Sequence, residues 1–281
     1  EDYRRAMAAI FDGVLASGAE CMLLTPNRMC AYVAPSVKDA ALVRAAEDCS
    51  KVQNSGVLDA YVDAARALAR EGARLALLGR SAAKLAAVLP DAPAADVLLL
   101  PGDLTDDAYL RESVEKTLSH FGRLDILINN AGMALSAPFG ETTLAQYDQI
   151  MRLNARAPFA LCQLALPHLR QSDAGTILNI ASVNAHKGYA LQSAYSASKH
   201  ALAGFTKALA AEEYKNGVRV HLISPGGVFT DMVKISRPDL TGEGMIQPED
   251  IADIAVFLLT HRTNAVIDEV CVHRSGKEPF L

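Results

Sequence analysis

From residue 73 onward, short β-branched or leucine-rich runs alternate with alanine-rich stretches of helical period. The runs Arg74–Gly79, Val97–Pro101, Leu124–Ile128, Gly175–Ile180, Val218–Ile223 and Val266–Val272 are almost continuously apolar. Strands covered on both faces read this way, because neither face needs polar residues. Between them lie helical patterns over Asp107–Phe121, Leu144–Leu169, Ser196–Lys215 and Pro248–Leu259. The last opens Gln247-Pro248-Glu249-Asp250, with proline at the first helical position and acids in the first turn, both favourable at a helix start. Strand–helix alternation predicts an α/β fold with a doubly wound parallel sheet in a single domain. On such sheets ligands bind beyond the carboxyl ends of the strands.

Residues 1–66 are less regular. Tyr3–Ala16 has a helical period, Cys21–Thr25 reads as a strand ending at Pro26-Asn27, and after a long connection comes a helix over Leu58–Arg70. Cys21–Thr25 is expected to fill the central strand position of the sheet, with a right-handed crossover to the next strand.

Composition narrows the functional classes. The 281 residues are 51% hydrophobic and 21% charged with a formal net charge of -5, a balance that repels nucleic acid and anionic membrane. No apolar run approaches the ~18–20 residues that span a bilayer, and the opening Glu1-Asp2-Tyr3-Arg4-Arg5 has no secretion-signal layout. The protein is therefore expected in the cytoplasm. Five cysteines without a Cys-x-x-Cys pair argue against a disulfide framework or a thiolate metal site. His168, His186, His200 and His221 are scattered and read as cap, surface or packing residues, and no metal site is expected. Neither a P-loop nor a Gly-x-Ser-x-Gly elbow is present.

The candidate chemistry centres on Tyr195-Ser196-Ala197-Ser198-Lys199. At the start of a helix this places Tyr195 and Lys199 one turn apart on one face. A phenol with a pKa near 10 is a poor proton donor and acceptor at neutral pH, and a neighbouring ammonium is expected to lower it. Ser182 lies thirteen residues earlier, after the run Thr176-Ile177-Leu178-Asn179-Ile180-Ala181. There its hydroxyl can donate to a carbonyl that Tyr195 protonates. Three more features share this order: Asn129-Asn130-Ala131-Gly132 after a strand, Asn154 within an apolar helical stretch, and Ser224-Pro225-Gly226-Gly227-Val228-Phe229-Thr230 after another strand. Singly each is a cap or a turn. Together their order and spacing carry the inference.

The set resembles the short-chain dehydrogenase/reductase family across about residues 67–281, especially its ketone and 3-oxoacyl reductase-like members, whose fold is Rossmann-like. The resemblance implies that Tyr195 is the acid–base, Ser182 orients the substrate, and Lys199 tunes Tyr195 and binds the nicotinamide ribose. It implies that Asn154 holds a water linking Lys199 to solvent. It places Asn130, Ala131 and Gly132 beside the adenosine and Asp103, with Leu104, at the adenine. Pro225, Gly226, Val228 and Thr230 match the segment that faces the nicotinamide. After Leu75-Ala76-Leu77-Leu78, Gly79-Arg80-Ser81 puts an arginine where NAD-preferring sites place a carboxylate, which favours the 2′-phosphate of NADP. The small residues Ala201, Gly204 and Ala208 suit close helix approach, either within the chain or in a homodimer or homotetramer. A small carbonyl or alcohol substrate is the implied partner, its choice set by Val183–Gln192 and Met232–Ile246.

One family element is missing. The family's first strand leads into Thr-Gly-x-x-x-Gly-x-Gly, whose glycines let the backbone approach the pyrophosphate. The matching stretch here is Asn54-Ser55-Gly56-Val57-Leu58-Asp59-Ala60-Tyr61, with Ser55, Asp59 and Tyr61 where glycines belong. Residues 1–66 resemble an internal fragment of an SGNH/GDSL-type hydrolase, on Met22-Leu23-Leu24-Thr25-Pro26-Asn27 and Val52–Asp59. They lack that family's Gly-Asp-Ser block and Asp-x-x-His. A chimera joined between about Asp59 and Gly72 is the corresponding expectation. Two functions follow: an NADP-dependent oxidoreductase, or a non-catalytic Rossmann-like protein that has lost dinucleotide binding.

Overall fold

The computed structural model describes residues 21–25, 65–69, 72–230 and 241–278. Seven parallel strands form one sheet in the order β3-β2-β1-β4-β5-β6-β7. They are β1 Cys21–Thr25, β2 Arg74–Gly79, β3 Val97–Pro101, β4 Ile126–Asn129, β5 Thr176–Ile180, β6 Arg219–Pro225 and β7 Glu269–Val272. The strand read from Cys21–Thr25 thus takes the central position. Leu23 pairs with Ala76 of β2 on one side and with Leu127 of β4 on the other. The expected doubly wound α/β architecture is the observed one.

Among the described residues, the helices that follow β2 are α1 Ala82–Val88, α2 Asp107–Phe121, α3 Leu144–Met151, α4 Ala157–Leu169, α5 Ser193–Glu213 and α6 Pro248–Thr260, and residues 65–69 before it are also helical. Their starts follow from local chemistry. Ser81, Asp106 and Thr143 each accept a backbone N–H of the first turn, satisfying donors that a helix N-terminus leaves without partners. Gly122 ends α2 at φ 77, and its N–H donates to the Leu118 carbonyl; the left-handed cap suits a residue without Cβ.

Both faces of the sheet are covered. Ala76, Leu78, Leu127 and Ile177 pack against Leu110 and Val114 of α2 and Leu161 and Ala165 of α4. Leu75, Leu77, Ile128 and Leu178 point the other way, to Leu85 of α1, Ala65 and Leu68, and Ile251 and Val256 of α6. Alternate residues of one strand therefore serve opposite cores, which is why the strands read as unbroken apolar runs.

Two details differ from the pattern in the sequence. The stretch Leu144–Leu169 is not one regular helix, because a π-turn over Arg152–Arg156 separates α3 from α4. The helix carrying Tyr195 begins at Ser193, ahead of the predicted Ser196. The predicted helix Tyr3–Ala16 and the segment with Ser55, Asp59 and Tyr61 lie outside the described residues.

Candidate active site

The carboxyl ends of β2 to β6 open on one edge of the sheet. Strand order reverses between β1 and β4, the place where a doubly wound sheet leaves a crevice. Arg80 follows β2 and is exposed, and Asp103 and Leu104 follow β3. The Asp103 carboxylate accepts from both the N–H and the hydroxyl of Thr105, 2.9 Å each, which fixes the turn after β3. Asn130, Ala131 and Gly132 leave β4 in a buried, irregular segment. Pro225 closes β6, and the Gly226 N–H donates to the Val272 carbonyl at 2.7 Å. A Cβ at Gly226 would lie 3.3 Å from that carbonyl oxygen, so glycine suits the close passage of β6 past β7 there. Val228 bridges to Ile246, and Thr230 is buried.

The residues expected to handle the proton lie after β5 and on α5. Ser182 sits two residues past β5 in extended backbone and starts a short 3₁₀ turn. Its hydroxyl donates to Asn184 Oδ1 at 3.3 Å while accepting from the Asn184 N–H at 3.2 Å. Asn184 Nδ2 continues to Ser196 Oγ at 3.0 Å and Gln192 Oε1 at 2.8 Å. This carboxamide ties the Ser182 turn to the first turn of α5, a role the sequence reading did not assign. A Ser-x-Asn pair at a strand end was its visible signal.

Lys199 lies one turn beyond Tyr195 on α5, 1% exposed, and its Nζ donates to the Ile180 carbonyl at 2.9 Å. Burial pushes this ammonium down to about 7. The Tyr195 phenol is likewise moved by burial, upward from its ordinary value, with the Ser182 hydroxyl opposing. This corrects the expectation of a phenol lowered by its lysine neighbour. Lys199 Nζ is drawn to the Ile180 carbonyl and stands 5.9 Å from the Tyr195 ring centre, so desolvation is the larger effect on the phenol.

Asn154 enters the site from the π-turn. Its Nδ2 donates to the Met133 carbonyl at 2.7 Å and to Ser198 Oγ at 2.9 Å, and its Oδ1 accepts the Met133 N–H at 2.7 Å. The Ser198 hydroxyl in turn donates to the Tyr195 carbonyl at 2.7 Å. Asn154 thereby joins the segment after β4 to the helix carrying Tyr195 and Lys199. Both its amide hydrogens are committed to protein acceptors, so a water would meet only the remaining lone pair of Oδ1.

The residues suit a nicotinamide dinucleotide at this edge. An ammonium has three donors, and the one acceptor that Lys199 meets among the described residues is Ile180, which leaves two donors for a ligand's hydroxyls.

Comparison with known proteins bears on the family and the fold. The model of the family described as short chain dehydrogenase matches residues 62–241. A levodione reductase of Leifsonia aquatica is 37% identical over 181 residues, covering 63% of this chain and 68% of that protein. The structure of a dehydrogenase/reductase from Sinorhizobium meliloti superposes with a TM-score of 0.73 at 27% identity, covering 95% of this chain and 98% of its own. A metagenomic short-chain oxidoreductase in complex with NADP gives a TM-score of 0.66 at 30% identity, covering 77% of this chain and 92% of its own. None of these supports the hydrolase resemblance of residues 1–66. Among the described residues no helix is long and apolar enough to cross a membrane.

Proposed function

The chain belongs to the short chain dehydrogenase family of oxidoreductases, and from that membership we propose that it interconverts a carbonyl and an alcohol with NADP as the hydride carrier. The observation that carries this reading is Tyr195 one helical turn before a buried Lys199, whose ammonium bonds the end of the strand that leads to Ser182. When bound, the nicotinamide supplies or accepts the hydride. The protein's own residues handle the proton. Ser182 donates a hydrogen bond to the carbonyl oxygen and orients it, and Tyr195 delivers its phenolic proton to that oxygen or withdraws it in the reverse direction. Lys199 binds the ribose hydroxyls with its two remaining donors and opposes the upward drift of the Tyr195 phenol when it is charged.

The dinucleotide would lie along the strand ends, with Asp103 and Leu104 at the adenine, Asn130, Ala131 and Gly132 beside the adenosine, and Pro225, Gly226, Val228 and Thr230 at the nicotinamide. Arg80 supports the choice of NADP, since a guanidinium pairs bidentately with a phosphate. The NADP complex of the metagenomic relative is consistent with that choice. Residues 1–66 act as the segment that completes the sheet, and 67–281 as the family domain proper. Asn154 is the residue placed to hold a water near Lys199. A small-molecule substrate, a cytoplasmic setting and a homo-oligomer complete the reading.

A second reading rests on Ser55, Asp59 and Tyr61, which stand where the family's phosphate loop has glycines. A charge-assisted hydrogen bond contributes ~1.5–3 kcal/mol and a helix dipole ~0.3–1 kcal/mol at exposed positions. Two lost contacts and one added carboxylate therefore weaken the dinucleotide by a factor on the order of hundreds or more. On this reading the chain keeps its proton-handling residues and does not turn over. Titrating NADPH while following its fluorescence separates the two: a low-micromolar dissociation constant rejects the second reading. With binding retained, Tyr195→Phe is expected to abolish turnover of a carbonyl panel at nearly unchanged NADPH affinity. Turnover that persists in Tyr195→Phe removes Tyr195 from its assigned role.

A further inference from the structure

Apart from the proton-handling residues, the fold assembles three side chains that are far apart in the sequence. His186 follows the Ser182 turn, while Glu269 and Cys271 point the same way from β7, the sheet's edge strand. His186 Nε2 stands 2.7 Å from Glu269 Oε1 and 3.9 Å from Cys271 Sγ. All three donor atoms lie within 4.8 Å of one another. The His186 and Glu269 side chains are 22% and 23% exposed, shielded yet reachable by a small ion. His186 and Cys271, far apart in the sequence, are therefore neighbours in space.

The surroundings orient this cluster. Ser224 Oγ donates to Glu269 Oε1 at 3.2 Å and stands 3.1 Å from His186 Nε2. Lys207 of α5 holds the other carboxylate oxygen, Oε2, at 3.1 Å. Its charge opposes a cation, yet its position leaves Oε1 facing the histidine and the thiol. Outer contacts of this kind fix the orientation of metal ligands.

We infer that His186 Nε2, Glu269 Oε1 and Cys271 Sγ form a binding site for a divalent transition metal of the zinc class, with water as the remaining ligand. One nitrogen, one carboxylate oxygen and one thiolate select zinc or cobalt(II) over magnesium and calcium, which take oxygen ligands. Zinc bonds of ~2.0–2.1 Å to nitrogen and oxygen and ~2.3 Å to sulfur require tetrahedral ligand spacings of about 3.3–3.6 Å. The His186 spacings of 2.7 and 3.9 Å bracket that range and all three atoms lie within 4.8 Å, so rotations of Glu269 and Cys271 towards each other close the site around an ion. The ion binds His186 as neutral imidazole through Nε2, with the ring proton on Nδ1, and displaces the proton of the Cys271 thiol to solvent. Bound, it fastens the segment after Ser182 to β7. The site does not depend on the cofactor reading.

Cobalt(II) and zinc titrations of the tag-free full chain test the site. One cobalt per chain is expected, with a thiolate-to-cobalt charge-transfer band that Cys271→Ser removes. Zinc affinity is expected to fall by more than about tenfold in Cys271→Ser and in Glu269→Gln, since even outer-shell losses cost ~10–100-fold. Zinc is also expected to raise the melting temperature of the wild-type chain and not of Cys271→Ser, because an ion bound only by the folded state stabilises it. A charge-transfer band that persists in Cys271→Ser comes from another cysteine and overturns the assignment. Zinc affinity that is unchanged by both substitutions, or no metal binding at all, overturns it equally.

Discussion

Lys199 Nζ donates to the carbonyl of Ile180, the last residue of the strand that leads to Ser182, at 2.9 Å. One contact thus joins the end of β5 to the second turn of α5, and it does so with a buried ammonium. That charge costs the folded state stability. Burial lowers its pKa from 10.5 to about 7, so between those values the unfolded chain holds more protons than the folded one. Stability attributable to Lys199 therefore rises with pH across that window and is lowest below pH 7. Lys199→Met is expected to gain most over wild type at pH 6 and to lose that advantage progressively by pH 10. Urea unfolding of both proteins at a series of pH values checks the sign; an advantage that grows with pH contradicts it.

Asn154 should matter for stability as well as chemistry. Asn154→Ala leaves the buried N–H and carbonyl of Met133 without their partner, and each unsatisfied group costs ~1–3 kcal/mol. A loss of about 2–5 kcal/mol in denaturant unfolding is expected. A loss under ~1 kcal/mol would show that water replaces the carboxamide without penalty.

Gly175, directly before β5, has no room for a side chain. A Cβ there would lie 2.2 Å from the Leu169 carbonyl oxygen, and backbone cannot step aside as a flexible side chain can. Gly175→Ala is expected to destabilise by at least ~1–3 kcal/mol, read as a lowered melting temperature. An unchanged melting temperature would mean that the turn between α4 and β5 opens freely.

If Arg80 reads the 2′-phosphate, Arg80→Ala should raise the KM for NADPH and leave that for NADH nearly unchanged. A charge-assisted contact of ~1.5–3 kcal/mol corresponds to roughly 10–150-fold. Parallel kinetics with the two cofactors decide it, and equal effects on both would exclude the arginine from cofactor choice.

What the sequence made legible follows from how directly each feature is written in local chemistry. β2 and β3 appear with the bounds expected of them because two-sided burial leaves an unbroken apolar run. The edge strand β7 is shorter than its apolar run, since Val266 and Ile267 are exposed. The π-turn at Arg152–Arg156 leaves no mark in composition, because a one-residue widening keeps the apolar spacing nearly intact. The direction of the Tyr195 shift was not legible either: it depends on where Lys199 Nζ points, and a spacing of four residues does not say. The meeting of His186 with Glu269 and Cys271 depends on the pairing of β6 with β7, in which Ser224 faces Cys271.

The central place of β1 bears on any attempt to trim the chain. Cys21–Thr25 is hydrogen-bonded to β2 on one side and β4 on the other. A version beginning at residue 67 would retain most of the family match and every proposed catalytic residue. It would also divide the sheet into a two-stranded and a four-stranded piece, each with a bare inner edge of unpaired backbone. Such edges template pairing between molecules. The shortened protein is therefore expected to collect in inclusion bodies, and supplying the missing strand on a separate peptide would be a route to its recovery.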